Sequence, residues 1–261
     1  NISAVYQTFA EFIDIDKDPK MDFSHSQLPP WLTNNRLFRL MFILRKLYLS
    51  RTTSKHYAQF GEDISIKRFF DKNHRGFFVD VGCFHPKKHN NTWLLYKKGW
   101  RGINIDIDPI KIMGFNIVRP GDTNITSAVS NKEGEISYYS SGFYSLTTSL
   151  DADFVRGKEG YTKKTTRCST LNRILDDTKY KNKQIDLLSV DAEGHDLEVL
   201  MSLDFDRYDP KLIAVETHHT LLPQVEKSTL YTFLAGKGYC LAGWCGLTLL
   251  MASRSLQHEL A

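Results

Sequence analysis

From Tyr57 onward, short apolar runs alternate with helix-compatible stretches, and most of the runs stop at a glycine or an acid. The runs at 77–81, 102–106, 125–129, 185–190 and 212–216 read as buried strands of a mainly parallel sheet with helices on both faces. Segments 239–242 and 247–252 flank Gly243-Trp-Cys-Gly246, a short turn that predicts a closing antiparallel hairpin. The expected fold is therefore α/β: a Rossmann-like, doubly wound, mostly parallel seven-stranded sheet with an antiparallel C-terminal strand. At 261 residues, 41% apolar and 25% charged, the chain can bury such a core.

Residues 1–54 differ in character and predict an N-terminal helical appendage to a 55–261 domain. Pro29-Pro30 separates a polar start from a basic amphipathic stretch at 36–51. There Leu37, Leu40, Met41, Leu44, Leu47 and Tyr48 recur at helical spacing among Arg36, Arg39, Arg45, Lys46 and Arg51. Such a helix packs on its own domain, meets a partner subunit or lies on an anionic membrane. Between 133 and 167 the chain is rich in Ser, Tyr, Thr and Gly, which predicts a hairpin and a long loop of the kind that covers active sites.

The net charge of +4 is mild, so no nucleic-acid partner is expected. Cys83, Cys168, Cys240 and Cys245 are too scattered for a zinc finger or a disulfide scaffold, which points to a reducing compartment such as the cytoplasm. No run approaches the ~20 apolar residues that span a bilayer.

Chemistry gathers where the predicted strands end, since ligands of open α/β sheets bind beyond the strand carboxyl ends. The first strand ends in Asp80 and Gly82, and Asn91-Thr92 then opens a helix whose free N–H groups could face a ligand. The glycines that admit a pyrophosphate are missing, which argues against NAD or FAD. The second strand ends in Asp106, about 25 residues past Asp80, near the spacing at which a carboxylate holds ribose hydroxyls. S-adenosylmethionine is a ribose-bearing cofactor without a pyrophosphate, and Asp122 is expected to accept from its adenine amino group. Ile185-Asp-Leu-Leu-Ser-Val190 ends in Asp191, Glu193 and His195, and the next strand ends in Glu216, close to His218.

The segment from Tyr57 to Glu216 resembles the FkbM family of S-adenosylmethionine-dependent methyltransferases. The matching stretches include Tyr57-Ala-Gln-Phe-Gly-Glu-Asp63, Phe78-Val-Asp-Val-Gly82, Gly99-Trp-Arg-Gly-Ile-Asn-Ile-Asp106, Ala128-Val-Ser130 and Leu188-Ser-Val-Asp-Ala-Glu-Gly-His195. Cys83 stands where a small residue is usual, and the flank His85-Pro-Lys-Lys-His89 is atypical. The resemblance implies a class I methyltransferase fold and methyl transfer to oxygen, commonly on sugars of glycans, lipid-linked saccharides or polyketide products. It also makes Gln59 and Glu62 candidates for the methionine end of the cofactor or for the acceptor.

Methyl transfer to an alcohol needs alignment and one base. His195 is the expected base, with Glu193 in reserve. Asp191, Glu216 and His218 offer a ligand set compatible with Mg²⁺ or Mn²⁺; without a metal, the two acids would hold helix amino termini or the methionine amine. Two rival readings are an N-methyltransferase acting on nucleic acid or protein, and a non-catalytic glycan-assembly module of the same fold. The Asp191-Ala-Glu-Gly sequence differs from the Asp/Asn-Pro-Pro-Tyr pattern common in nucleic-acid amino methyltransferases. A module without activity would have no need to keep Asp80, Asp106, Asp191 and His195.

Overall fold

The computed structural model describes residues 34–48, 54–141, 148–149 and 160–260. The polar start of the chain, Arg51, and the 142–147 and 150–159 parts of the expected covering loop lie outside the described residues. The chain divides into two compact units, residues 1–55 and 56–261. In the first, helix α1 spans Arg36–Tyr48, its first turn tied by the Asn35 carboxamide, which accepts from Leu37 N and Phe38 N. No helix among the described residues is long and apolar enough to cross a membrane.

In the second unit, seven strands form the main sheet: β1 (Phe77–Val81), β2 (Arg101–Asp106), β3 (Thr123–Thr126), β8 (Leu187–Val190), β9 (Leu212–Glu216), β10 (Cys240–Cys245) and β11 (Thr248–Ala252). Their order is β10-β11-β9-β8-β1-β2-β3. The pairs β3–β2, β2–β1, β1–β8 and β8–β9 are parallel, whereas β11 runs antiparallel to both neighbours. This is the class I Rossmann-like arrangement. Strand order reverses at β1, so the chain leaves β1 for β2 on one side and later returns to its other side with β8.

Side chains alternate across the sheet as a pleat requires. Val79, Val81, Ile103, Ile105, Leu188 and Val190 share one buried cluster, while Phe78, Leu187, Leu212, Ala214 and Leu250 belong to another. The first is covered by helices α5 (Leu171–Asp176), α6 (Asp196–Met201), α7 (Phe205–Tyr208), α8 (Leu222–Glu226) and α9 (Thr229–Gly236), the second by α2 (Glu62–Lys67), α3 (Trp93–Lys97) and α10 (Arg254–Leu260). Helix α4 (Pro109–Val118) joins β2 to β3 and is capped by Asp108, whose carboxylate accepts from Ile110 N.

Three strand boundaries differ from the sequence reading. The 125–129 run splits: β3 ends at Thr126 on the sheet edge, and Ala128–Val129 form β4 of a second sheet with order β4-β7-β5-β6. Here β5 is Gly134–Ser141, β6 is Thr148–Ser149 and β7 is Tyr161–Ser169; the long β5–β7 hairpin is the one expected between 133 and 167. The 185–190 run forms a strand only from Leu187; Asp186 just before it bonds both neighbours, its N–H donating to Phe77 O and its carboxylate accepting from Phe77 N at 2.8 Å, while its C=O accepts from Leu212 N. The last hairpin turns at Gly246 rather than across 243–246. A bulge between Leu241 and Gly243 lets β10 continue to Cys245.

Candidate active site

Strand registers bring Val81, Asp106, Val190 and Glu216 to one edge of the sheet, at the point where strand order reverses. A cavity of about 380 Å³ opens there, within the usual range for small-molecule sites. Gly82, Asp106, Asp191 and Glu193, all singled out from the sequence, line it together with Gln59.

Gly82 has a φ of +74°, and a Cβ at this position would stand 1.8 Å from the backbone oxygen of Asp191. Its lack of a side chain lets the β1 and β8 ends close on each other as well as on a ligand. Asp106 is buried; its oxygens accept from Phe84 N at 3.1 Å and Asp108 N at 2.9 Å, and Lys111 Nζ stands 3.7 Å away. Burial raises the Asp106 pKa against the pull of Lys111. Each carboxylate oxygen has more than one acceptor position, so this side chain can still take hydroxyl donors from the cavity.

The opposite wall is acidic. Asp191 is pushed well above the ordinary carboxylate range, first by desolvation and then by the charges of Glu216, Glu193 and Asp196. Burial raises the Glu216 pKa as well, and its Oε2 is buried without a hydrogen-bond partner. Glu193 stands in the left-handed region, φ +51°, at the cavity wall, and burial followed by the Glu216 charge raises its pKa. A non-glycine residue held there costs roughly 1–3 kcal/mol, the kind of strain that concentrates at functional sites. Asp196, also raised by burial, closes the turn by accepting from Ala192 N and Gly194 N.

Residues 80–240 match the family described as the methyltransferase FkbM domain. The chain belongs to the FkbM methyltransferase family. A search of curated proteins found no match. Among solved structures, a TehB-like SAM-dependent methyltransferase from Corynebacterium glutamicum is similar, with a TM-score of 0.39 and 13% identity over 84% of this chain and 97% of the other. The fold assignment rests on the strand order. Family membership makes S-adenosylmethionine the methyl donor. The cavity fits it, because Asp106 can hold ribose hydroxyls and the acidic wall suits a ligand carrying a sulfonium and an ammonium.

Other residues expected at the FkbM cofactor site lie elsewhere. Asp122 is fully buried, accepting from Gly102 N at 3.0 Å, Asn104 Nδ2 at 3.2 Å and Arg119 Nε at 2.9 Å. It precedes β3, so it belongs to the amino side of that strand, and it does not line the cavity. Ser127, Ala128 and Val129, which follow β3, line the cavity instead. Asp80 points into a buried network, where it accepts from Asn90 Nδ2 and Thr92 Oγ1; burial raises its pKa, and Arg119 opposes the rise. Thr92 is spent in that network, Asn91 donates to Ser189 Oγ at 3.3 Å, and Glu62 accepts from Phe60 N at 2.7 Å. None of these four lines the cavity.

The expected base is displaced too. His195 immediately precedes α6, and its Nε2 meets Ser130 Oγ at 2.9 Å while Nδ1 lies 3.6 Å from Glu198. Its ring is outside the cavity lining. Among the described residues no group of three or more His, Cys, Asp and Glu side chains can hold a metal ion, so Asp191, Glu216 and His218 do not assemble the ligand set. His218 is exposed.

The sequence reading missed Lys111, Phe84 and His89, all part of the lining. A signal for Lys111 was present: Asp108-Pro109 marks the start of α4, which places Lys111 in its first turn, facing Asp106.

Proposed function

We propose that this FkbM methyltransferase methylates a hydroxyl oxygen of a sugar or glycan, with Glu193 as the base. The observation that carries this reading is the acidic wall of Asp191 and Glu193 in the cavity lining, with Glu216 behind it raising the pKa of both. Carboxylates accept hydrogen bonds from vicinal hydroxyls, and a phosphate-rich acceptor brought against the same wall would be repelled. That second consideration weighs against nucleic acid.

The bound cofactor supplies a methyl group already activated on a sulfonium. The protein supplies position and a proton acceptor. Asp106 takes the ribose hydroxyls, and Gly82 leaves room beside the β1 end. Asp191, in the cavity lining, faces the ammonium of the methionine end. As the acceptor oxygen takes the methyl group it gives its proton to Glu193, whose raised pKa brings it nearer neutrality and makes it a better base than an ordinary carboxylate. His195 holds the loop after β8 to Ser130, just past β4, and steadies the wall that carries Glu193.

Calorimetry with S-adenosylmethionine, paired with mass spectrometry of cell-surface and secreted glycans from cells with and without the enzyme, tests the reading. Cofactor binding and one-methyl mass differences on sugars are expected. Binding with no change in any glycan overturns the acceptor assignment.

A further inference from the structure

Helix α1 carries four basic and no acidic side chains in its thirteen residues. At roughly 100° per residue, Leu37, Leu40, Met41, Leu44, Leu47 and Tyr48 fall on one face. Arg36 lies at one border of that face and Arg45 at the other, with Arg39 further round, past Ile43. The face is open to solvent: Leu37 is 66% exposed, Leu47 67% and Tyr48 78%. Phe38 points elsewhere and is buried, its ring 6.3 Å from that of Phe42. Isolated exposed leucines are ordinary on any protein, but a continuous stripe of six large apolar side chains marks a surface that meets something.

We propose that α1 lies on an anionic bilayer, with its apolar stripe in the acyl boundary and its basic borders among acidic headgroups. Charge selects this occupant. Two copies of the same helix face would bring its bordering arginines together with no acid on the helix to separate them, whereas a layer of acidic lipid neutralises them. Length selects the orientation: thirteen residues rise about 20 Å, short of the ~30 Å hydrocarbon core, so the helix lies in the interface and does not cross it. Arginines flanking an apolar stripe are the arrangement of interfacial helices, whose cations reach the headgroups while the stripe enters the acyl boundary.

Sedimentation of the full chain with phosphatidylcholine vesicles, with and without phosphatidylglycerol, tests the proposal. Binding is expected on the anionic vesicles alone and should fall steeply as salt rises. Leu40→Asp with Leu44→Asp should abolish it. Arg36→Gln and Arg39→Gln should each weaken it roughly fivefold. All these variants should keep the parent affinity for S-adenosylmethionine, which shows that the methyltransferase domain has folded. Equal binding to both vesicle types overturns the proposal, as does no binding to either. A dimer in light scattering that Leu40→Asp dissociates also overturns it and assigns the stripe to a second copy.

Discussion

Around Arg119 the protein buries carboxylates and matches them, whereas along the cavity wall it crowds carboxylates and leaves them unmatched. The Arg119 guanidinium is fully buried; it pairs with Asp122 at 2.9 Å and donates to Asn90 and Thr92, which in turn hold Asp80. The rings of Phe78, Tyr96 and Phe115 stand about 5 Å from it. At the cavity, burial and the Glu216 charge raise the pKa of both Asp191 and Glu193, and Lys111 and His218 oppose the Glu193 rise only as more distant charges. Buried charge that serves folding is neutralised in place, while charge kept for a ligand is stored uncompensated until the ligand arrives.

The largest effect should come from breaking the matched side of this contrast. Arg119→Ala strands Asp122 and Asp80 without their cation and should cost about 3–5 kcal/mol in a urea titration. Arg119→Lys should recover part of that, since it restores the charge but not the planar fork. A neutral outcome for Arg119→Ala would mean that the network contributes little.

On the unmatched side, Glu193→Gln should lower kcat by roughly 10²–10⁴-fold, while His195→Ala should lower it by less than about tenfold, because that ring faces Ser130. Reversed magnitudes would return the base to His195. Gly82→Ala joins the two themes, since the new methyl would collide with the Asp191 carbonyl and force a positive φ on alanine. A loss of more than about 1 kcal/mol in stability is expected, together with weaker cofactor binding by calorimetry.

The pH dependence should run in opposite directions for folding and for binding. Asp191, Glu193 and Glu216 hold protons above their ordinary 3.8 and 4.5, so just above those values the native chain binds more protons than the unfolded one. Their contribution to stability is complete below the unfolded values and is lost as pH rises through the raised ones. Affinity for the cationic cofactor should rise over the same window as the wall ionises. Asp191→Asn should flatten both curves, read by denaturation and calorimetry across pH. The smallest effect belongs to an exposed pair: Arg173 and Asp177 meet at 3.0 Å with both side chains 58% exposed, and Arg173→Ala should cost less than about 0.5 kcal/mol in thermal unfolding.

Much of the fold could be read from the sequence because period and punctuation are local. The runs 77–81 and 212–216 match β1 and β9 residue for residue, and the stop after Val190 correctly put Asp191 and Glu193 at the cavity. What the sequence reading misapplied was direction. Asp122 precedes β3 whereas Asp106 ends β2, and because the two strands are parallel these acids lie at opposite strand ends. The split at Ser127 depended on β7, which arrives from more than thirty residues away to pair with Ala128 and Val129.

By itself, then, the sequence determined the succession of strands and helices, the family, and which loops carry acids, because each of these is written in neighbouring residues and their spacing. Only the tertiary structure decided which acids are neutralised and which stay exposed to a ligand. A carboxylate's state depends on the charges and dipoles packed around it, and here those come from elements far apart in the chain: Arg119 for Asp122 and Asp80, Glu216 for Asp191, and Ser130 for the ring of His195.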